Sequence, residues 1–216
     1  MALSIKICGL KTPEALDVAL ESGADQVGFV FFGKSPRNLG LEAARLLGQR
    51  AQGRAIKVAL TVNADDDTLQ DIVAALKPDM LQLHGNESTD RVVAVRTRFG
   101  LPVMKALPIA TRADLSPIRL YANVADRLLF DARPSVTDTR PGGLGKTFDW
   151  TLLAGLDAGN VAEAIRITQP YGVDVSSGVE RSVGEKDPDK IRAFIRAARA
   201  ADSALGDVQG DRKVRI

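Results

Sequence analysis

Four residues that can take part in acid–base chemistry come at or near the ends of short apolar runs. They end the stretches "SIKIC", "LQLH", "RLLFD" and "VDVS" and are Cys8, His84, Asp131 and Ser176. Cys8 and His84 are the only cysteine and the only histidine in the chain. A thiolate can remove a proton from a substrate and a carboxylic acid can deliver one, provided that the fold brings both groups to one place.

The apolar runs that carry these residues alternate with segments of helical periodicity along the chain. Thr12 and Pro13 are typical of a helix N-cap and first helical position, and the acidic residues 65–67 favour the start of another helix. Further helices are predicted over about 41–49, 88–98, 113–121 and 188–201, and one begins at about residue 158. This alternation predicts an α/β protein.

Strands separated by helices pair in parallel through right-handed crossovers. Seven strand-like runs in 216 residues favour a (β/α)8 TIM barrel, which has eight strands and ~200–400 residues, over an open doubly wound sheet. The first turn, "CGLKTP", also lacks the glycines of a dinucleotide-binding fingerprint. We expect one barrel domain over residues 1–202 and a flexible tail over residues 203–216, where no periodicity is found.

Polar residues are expected inside this barrel, although branched apolar residues are usual there. Side chains along a strand alternate between two faces, so Lys6 and Cys8 share the face opposite Ile5 and Ile7, which would pack on helices. Because the first and last strands of a barrel are neighbours, we expect an ion pair between Lys6 and Asp174. The same alternation pairs further residues on inward faces: Gln82 with His84, Leu129 with Asp131, and Asp174 with Ser176.

Two glycine-rich loops are predicted at the carboxyl end of the barrel, where phosphate sites are common in this fold. Arg37, on the loop after the second strand, is a candidate for binding a carboxylate or phosphate, although an exposed arginine without such a role is equally compatible. The first loop offers Gly142, Gly143 and Gly145, and the second offers Ser176, Ser177 and Gly178. Together they favour a small phosphorylated substrate.

The composition excludes several other classes of protein. A net charge of +2 gives no surface for nucleic acid, and one cysteine permits no internal disulfide. No apolar run approaches the ~20 residues of a membrane span, and the opening residues do not form a signal peptide. We therefore expect a cytoplasmic protein that binds neither nucleic acid nor membrane. A barrel of this size is compatible with a monomer or a homodimer.

The motifs, taken together, resemble the phosphoribosylanthranilate isomerase family of tryptophan biosynthesis. The matching stretches are "KICGLKTPEAL", "GADQVGFVFFGKSPRNL", "LQLHGNES", "LFDARP", "GGLGKTFDW" and "VDVSSGVE" followed by "GEKDPDKIRAFI", in order over the chain to about residue 197. The resemblance implies a (β/α)8 barrel that catalyses an Amadori rearrangement of N-(5-phosphoribosyl)anthranilate, without cofactor or metal.

The resemblance also implies a role for individual residues. The family's general base is the cysteine of "KICG", here Cys8, and its general acid is the aspartate after the sixth strand, here Asp131. Arg37 would hold the anthranilate carboxylate, and the glycine loops would hold the phosphate. Asp131 could deliver the proton if burial among residues 128–130 raises its pKa, and Cys8 would work best as a base with a cation or backbone dipoles to lower its pKa. His84 would touch the substrate or brace the site.

One segment is shorter than the family pattern requires. Between Trp150 and the helix at about residue 158 there is only "TLLAGLDAG", roughly a dozen residues too few for a helix, a strand and a turn. Three explanations are open. "LLAGL" would serve as a shortened seventh strand with Gly155 in the turn, or a segment has been lost from the sequence, or the chain is an impaired variant. A non-catalytic phosphosugar-binding barrel is therefore an alternative. A second alternative is a phosphosugar aldose isomerase with two carboxylates, but the first strand ends in Cys8 and not in a carboxylate.

Overall fold

One parallel sheet forms the centre of the computed structural model, which describes residues 2–109, 112–132 and 155–213. In the sheet, β1 to β6 lie side by side in chain order, and β7 pairs with the other side of β1. The strands are β1 (Ser4–Cys8), β2 (Gln26–Phe31), β3 (Ile56–Thr61), β4 (Met80–Leu83), β5 (Val103–Ile109), β6 (Arg127–Ala132) and β7 (Gly172–Val175).

The strand register brings the two ends of the chain together. Lys6 on β1 is the partner of Gln26 on β2 and of Asp174 on β7. The sheet thus has β6 at one end and β7 at the other, as a barrel that is open between these two strands in the described part of the chain. Across the opening, the Arg127 guanidinium lies 5.1 Å from the centre of the Tyr171 ring.

Helices follow the strands in the order that the sequence predicts. Three of them begin at the predicted caps, since Thr12, Asp65 and Ser88 each accept a hydrogen bond from a backbone N–H of the first turn. The helices are α1 (Pro13–Glu21), α2 (Leu41–Ala51), α3 (Asp66–Leu76), α4 (Thr89–Phe99), α5 (Ile118–Ala122), α6 (Val161–Thr168) and α7 (Pro188–Lys213).

Two helices differ from their predicted extent. The helix expected over 113–121 is a short 3-10 helix, Arg112–Leu115, followed by α5, because Pro117 has no N–H to continue a helical ladder and instead caps α5. Helix α7 runs on to Lys213, through most of the segment for which we expected a flexible tail. No proline interrupts that segment, and Leu205 packs against the core.

The main core lies between the sheet and the helices. Ile5 and Ile7 are fully buried there with Phe29 and Phe194, which confirms that the apolar face of β1 is turned towards the helices. Cys8, on the opposite face, packs with Val30 and Leu60 in a separate interior cluster. The period-two alternation of the strands therefore positions the polar side chains inside the barrel, as predicted.

Among the described residues, no helix combines the length and the apolar character needed to cross a membrane.

Candidate active site

An open cavity of about 1380 Å³ occupies the interior of the sheet. It exceeds the ~300–1,000 Å³ of an ordinary ligand pocket because it includes the opening between β6 and β7. Most of the predicted site residues line it, namely Cys8, Arg37, His84, Asp131, Asp174, Ser176 and Ser177. Gly142, Gly143 and Gly145 lie outside the described residues. The fold therefore brings residues from both ends of the sequence to one site.

The predicted ion pair between Lys6 and Asp174 is present. The Lys6 Nζ lies 3.0 Å from the Asp174 Oδ1, and the two side chains are only 3% and 18% exposed. Burial acts to lower the pKa of Lys6, but the Asp174 carboxylate outweighs it and the pKa is raised. The pair joins β1 to β7, which are neighbouring strands in the sheet.

Removing one member of this pair should destabilise the fold strongly. Lys6→Met leaves the Asp174 carboxylate in a nearly buried position without its cation, so we expect the free energy of unfolding to fall by about 3 kcal/mol. Urea denaturation of the wild type and the variant measures this difference. The double variant Lys6→Met/Asp174→Leu is the control and should recover much of the loss, because it leaves no unpaired charge. Equal stability of the single and double variants would contradict this account.

Cys8 is 4% exposed and lines the cavity at the end of β1. Burial raises the pKa of its thiol, and the nearby Lys6 ammonium only partly opposes this effect. The cation that would suit a thiolate base is therefore present in Lys6, but the cost of desolvating a thiolate exceeds its attraction. A Cβ on Gly28 would lie 2.9 Å from the Cys8 Sγ, so glycine at this position leaves room for the thiol.

His84 and Asp131 are in direct contact, which the sequence did not predict. The His84 Nε2 lies 3.3 Å from the Asp131 Oδ2, and its Nδ1 lies 3.0 Å from the Gln82 Nε2. The Asp131 side chain is 45% exposed and its neighbour Phe130 is 41% exposed. Asp131 is therefore only partly buried, because β6 ends the sheet and no described strand covers its outer edge.

Arg37 is held in place by a carboxylate that the sequence analysis missed. Its Nε and Nη2 donate to the two carboxylate oxygens of Glu180, at 2.7 and 2.8 Å. Glu180 also accepts hydrogen bonds from the Lys186 Nζ at 2.9 Å and the Gly184 N–H at 3.1 Å. These residues belong to a hairpin of β8 (Glu180–Ser182) and β9 (Glu185–Lys186) that follows β7. The charged run "VERSVGEK" after a strand end was the available signal.

The Glu180 network should make stability depend on pH under acidic conditions. Burial acts to raise the pKa of Glu180, but hydrogen bonds from Arg37, Lys186 and the Gly184 N–H lower it from 4.5 to about 2. A carboxyl whose pKa is lowered by folding stabilises the fold above pH 4.5, and this stabilisation is lost as the pH falls towards 2.

We expect Glu180→Gln to lower the urea midpoint of unfolding near neutral pH, with a difference from the wild type that shrinks as the pH falls below 4.5. Glu163→Gln is the matched control, since Glu163 pairs with Arg166 on the surface at 3.6 Å and such pairs contribute little. A Glu180→Gln difference that stays constant with pH would contradict the assignment.

The second glycine loop is a 3-10 helix, Ser177–Val179, directly after β7. The Ser176 Oγ donates to the backbone oxygen of Cys8 at 3.3 Å, so the loop is tied to the strand that carries the thiol. A Cβ on Gly178 would lie 1.8 Å from the Leu156 oxygen, so only glycine allows this close approach of the 155–156 segment. Gly155, with a φ of 60°, therefore lies beside the predicted phosphate loop.

The parallel strands, the surrounding helices and a polar cavity at the carboxyl ends of the strands define a (β/α)8-barrel enzyme, since active sites in this fold lie at that face. The match of a family model identifies the kind of enzyme: the model for N-(5'-phosphoribosyl)anthranilate (PRA) isomerase aligns with residues 5–197. The chain belongs to this family.

Individual relatives agree with the family match. An N-(5'-phosphoribosyl)anthranilate isomerase of Bradyrhizobium sp. (strain ORS 278) is 62% identical over 214 residues, with 94% of this chain and 98% of the relative covered. The crystal structure of the isomerase from Thermotoga maritima is 33% identical, with a TM-score of 0.80 over 92% of this chain and 99% of that one. A further isomerase, solved with reduced 1-(o-carboxyphenylamino)-1-deoxyribulose 5-phosphate, is 31% identical with a TM-score of 0.79 over 92% of this chain and 99% of that one.

The alignment with the Bradyrhizobium protein also bears on the short segment. Since 94% of 216 residues is about 203, the 214 aligned positions include about 11 that have no residue in this chain. This number agrees in size with the shortage expected between Trp150 and α6. Residues 152–154 of the proposed short strand "LLAGL" lie outside the described residues, and Gly155 and Leu156 are not in a strand.

Proposed function

We propose that this chain isomerises N-(5-phosphoribosyl)anthranilate to 1-(2-carboxyphenylamino)-1-deoxyribulose 5-phosphate, an aldose–ketose isomerisation of tryptophan biosynthesis. The observation that carries the proposal is the presence of a thiol and a carboxyl group at one cavity in a member of this family. The alternative aldose isomerase with two carboxylates is not supported, because the first strand ends in Cys8.

Asp131 acts as the general acid that opens the furanose ring. Its carboxylic acid gives a proton to the ring oxygen, the bond between that oxygen and C1′ breaks, and the anthranilate nitrogen supplies its lone pair to form a protonated Schiff base. The exposed position of Asp131, beside the opening between β6 and β7, leaves the carboxyl accessible to the sugar.

Cys8 acts as the general base for the second step. Its thiolate removes the C2′ proton, the electrons of the broken C2′–H bond form the C1′–C2′ double bond, and the C1′–N double-bond pair returns to the nitrogen and neutralises the Schiff base. The enol product then ketonises, with C1′ gaining a proton and the C2′ hydroxyl losing one. Because burial raises the thiol pKa, the rate should increase with pH as the thiolate population rises. The positive charge of Lys6 opposes the effect of burial on the thiol pKa.

Charged and backbone donors hold the two anionic ends of the substrate. Arg37 binds the anthranilate carboxylate, and its bidentate contact with Glu180 orients the guanidinium before the substrate arrives. Backbone N–H groups of the loop at 176–178, with the glycines at 142, 143 and 145, bind the phosphate. His84 and Asp174 act on the site through Asp131 and Lys6, their hydrogen-bond partners.

The chain functions without a cofactor or metal, in the cytoplasm, as a monomer or a homodimer. One solved structure is described as monomers generated from a dimeric isomerase of Thermotoga maritima. The chain's partner in the reaction is a small phosphosugar, and neither nucleic acid nor membrane takes part.

A fluorescence assay tests the activity directly. Addition of the protein to the phosphoribosyl anthranilate should accelerate the decay of substrate fluorescence, and the double variant Cys8→Ala/Asp131→Asn is the control for protein-independent decay. Unchanged fluorescence together with saturable binding of the product would reject catalysis. That result would favour the phosphosugar-binding barrel, for which the missing positions of the alignment are the supporting observation.

A further inference from the structure

His84 lies between two polar side chains and contacts each through a different ring nitrogen. The Gln82 Nε2 is 3.0 Å from Nδ1, and the Asp131 Oδ2 is 3.3 Å from Nε2. Gln82 and His84 face the same side because they are two positions apart along β4 and its extension. The three side chains therefore form a chain of contacts from the barrel interior to the carboxyl group at the mouth.

The chemistry of the two neighbours decides which ring nitrogen carries the proton. A neutral imidazole has one N–H donor and one acceptor nitrogen. In its ionised form the Asp131 carboxylate only accepts hydrogen bonds, so Nε2 is then the donor to it. Nδ1 is then the acceptor, and the amide N–H of Gln82 is the donor that it needs.

We propose that Gln82 is a positioning residue for Asp131, because its amide holds His84 as the tautomer whose Nε2–H donates to the carboxyl. This inference rests on the proposed function, in which Asp131 delivers a proton to the ring oxygen. The His84 N–H occupies Oδ2 in both protonation states of Asp131. Oδ1 is consequently the oxygen that is left to carry the transferred proton.

The opposite tautomer would oppose catalysis. An Nε2 lone pair next to Asp131 would accept the proton of the carboxylic acid and divert it from the sugar. The Gln82 amide prevents this by keeping a donor against Nδ1. A wrong histidine tautomer in otherwise intact geometry is known to lower turnover severely in serine proteases, where a carboxylate has the corresponding orienting role.

The burial of Gln82 supports a role beyond packing. Its side chain is fully buried, and its Oε1 has no hydrogen-bond partner among the residues that the structure describes. An apolar residue of similar size would fill the position without an unpaired buried oxygen, and apolar residues are usual inside a barrel. The donation to His84 is the one contact of the amide that an apolar residue would not reproduce.

The test uses the fact that His84 is the only histidine in the chain. In untagged protein labelled with nitrogen-15 histidine, the two ring nitrogens give the only imidazole signals, and the protonated and unprotonated nitrogens are widely separated. At about pH 8, where an ordinary imidazole is neutral, we expect the wild type to show a protonated Nε2 and an unprotonated Nδ1.

Two variants change the donor in different ways. Gln82→Met keeps the volume but removes the amide, and Gln82→Glu replaces the donor with an acceptor that favours a proton on Nδ1. We expect both to shift the tautomer and to lower kcat by about 10-fold or more with KM little changed, since general-acid catalysis contributes ~10²–10⁴-fold. Gln82→Glu should have the larger effect on both quantities.

Thr61→Val is the matched control. Thr61 is equally buried on the adjacent strand, and its hydroxyl also has no partner among the described residues, but its side chain lies on the face of β3 that meets the helices. This variant should leave the tautomer and kcat unchanged.

A proton on Nδ1 in the wild type would overturn the proposal, as would wild-type kcat in Gln82→Met. If Gln82→Met does not fold, the wild-type tautomer and the Gln82→Glu variant still decide. Absence of isomerase activity in the wild type would reject the proposed function instead, while the tautomer measurement would stand by itself.

Discussion

Replacing Cys8 by alanine is expected to lower kcat by ~100-fold or more, the usual contribution of a general base. The thiol is the candidate that removes the C2′ proton, and alanine has no group that can accept it. KM should change little, because the residues proposed to bind the substrate, Arg37 and the phosphate loops, are unaltered. Steady-state fluorescence kinetics of the purified variant measure both constants.

The packing role of Cys8 has to be separated from its chemistry. Cys8→Ser retains nearly the same shape at a site that is 4% exposed, but its hydroxyl ionises far less readily than a thiol, so it should lose activity like alanine. Because Cys8 is the only cysteine, loss of activity on alkylation of the wild type reports on this thiol alone. Near-wild-type turnover of a folded Cys8→Ala variant would remove Cys8 from the mechanism.

Asp131→Asn should also lower kcat by ~100-fold or more, because an amide cannot deliver the proton that opens the ring. The change keeps the shape of the side chain and an oxygen that accepts from the His84 Nε2–H, so the local structure should persist. Substrate fluorescence measures kcat of the variant near neutral pH, and circular dichroism checks that the variant is folded.

Asp126→Asn is the matched control for Asp131. Asp126 lies just before the same strand, where its carboxylate accepts from the Val103 N–H at 2.9 Å and pairs with Arg96. This residue lines the amino-terminal end of the cavity, away from the proposed chemistry, so its substitution should affect stability and leave kcat unchanged. Equal losses of kcat in the two variants would mean that the Asp131 carboxylate contributes to the fold and not to the chemistry.

The two proposed catalytic residues differ in how the fold holds them. Cys8 ends a strand that is paired on both sides and is packed against Gly28. Asp131 lies on β6, which is paired on one side only within the described part of the chain. The contact with His84 therefore fixes the carboxyl where the sheet itself does so least, which makes the Gln82–His84 pair important for the acid.

Much of this site followed from local patterns in the sequence. Alternation along a strand placed Lys6 and Cys8 inside the barrel and Ile5 against the helices, because successive side chains in extended backbone face opposite ways. The order of strands and helices indicated a parallel barrel, in which β1 and β7 are neighbours. The ion pair between Lys6 and Asp174 was predictable for that reason.

Other features depend on contacts that no local pattern contains. Arg37 and Glu180 are 143 positions apart, and His84 and Asp131 are 47 positions apart, so only the folded chain shows that they are bonded. The pKa of Cys8 likewise depends on how completely the surrounding strands exclude water, a property of packing in three dimensions. By itself, the sequence determined the family, the order of the elements and the inward faces of the strands, whereas the tertiary structure decided which charged groups meet and how far each is removed from water.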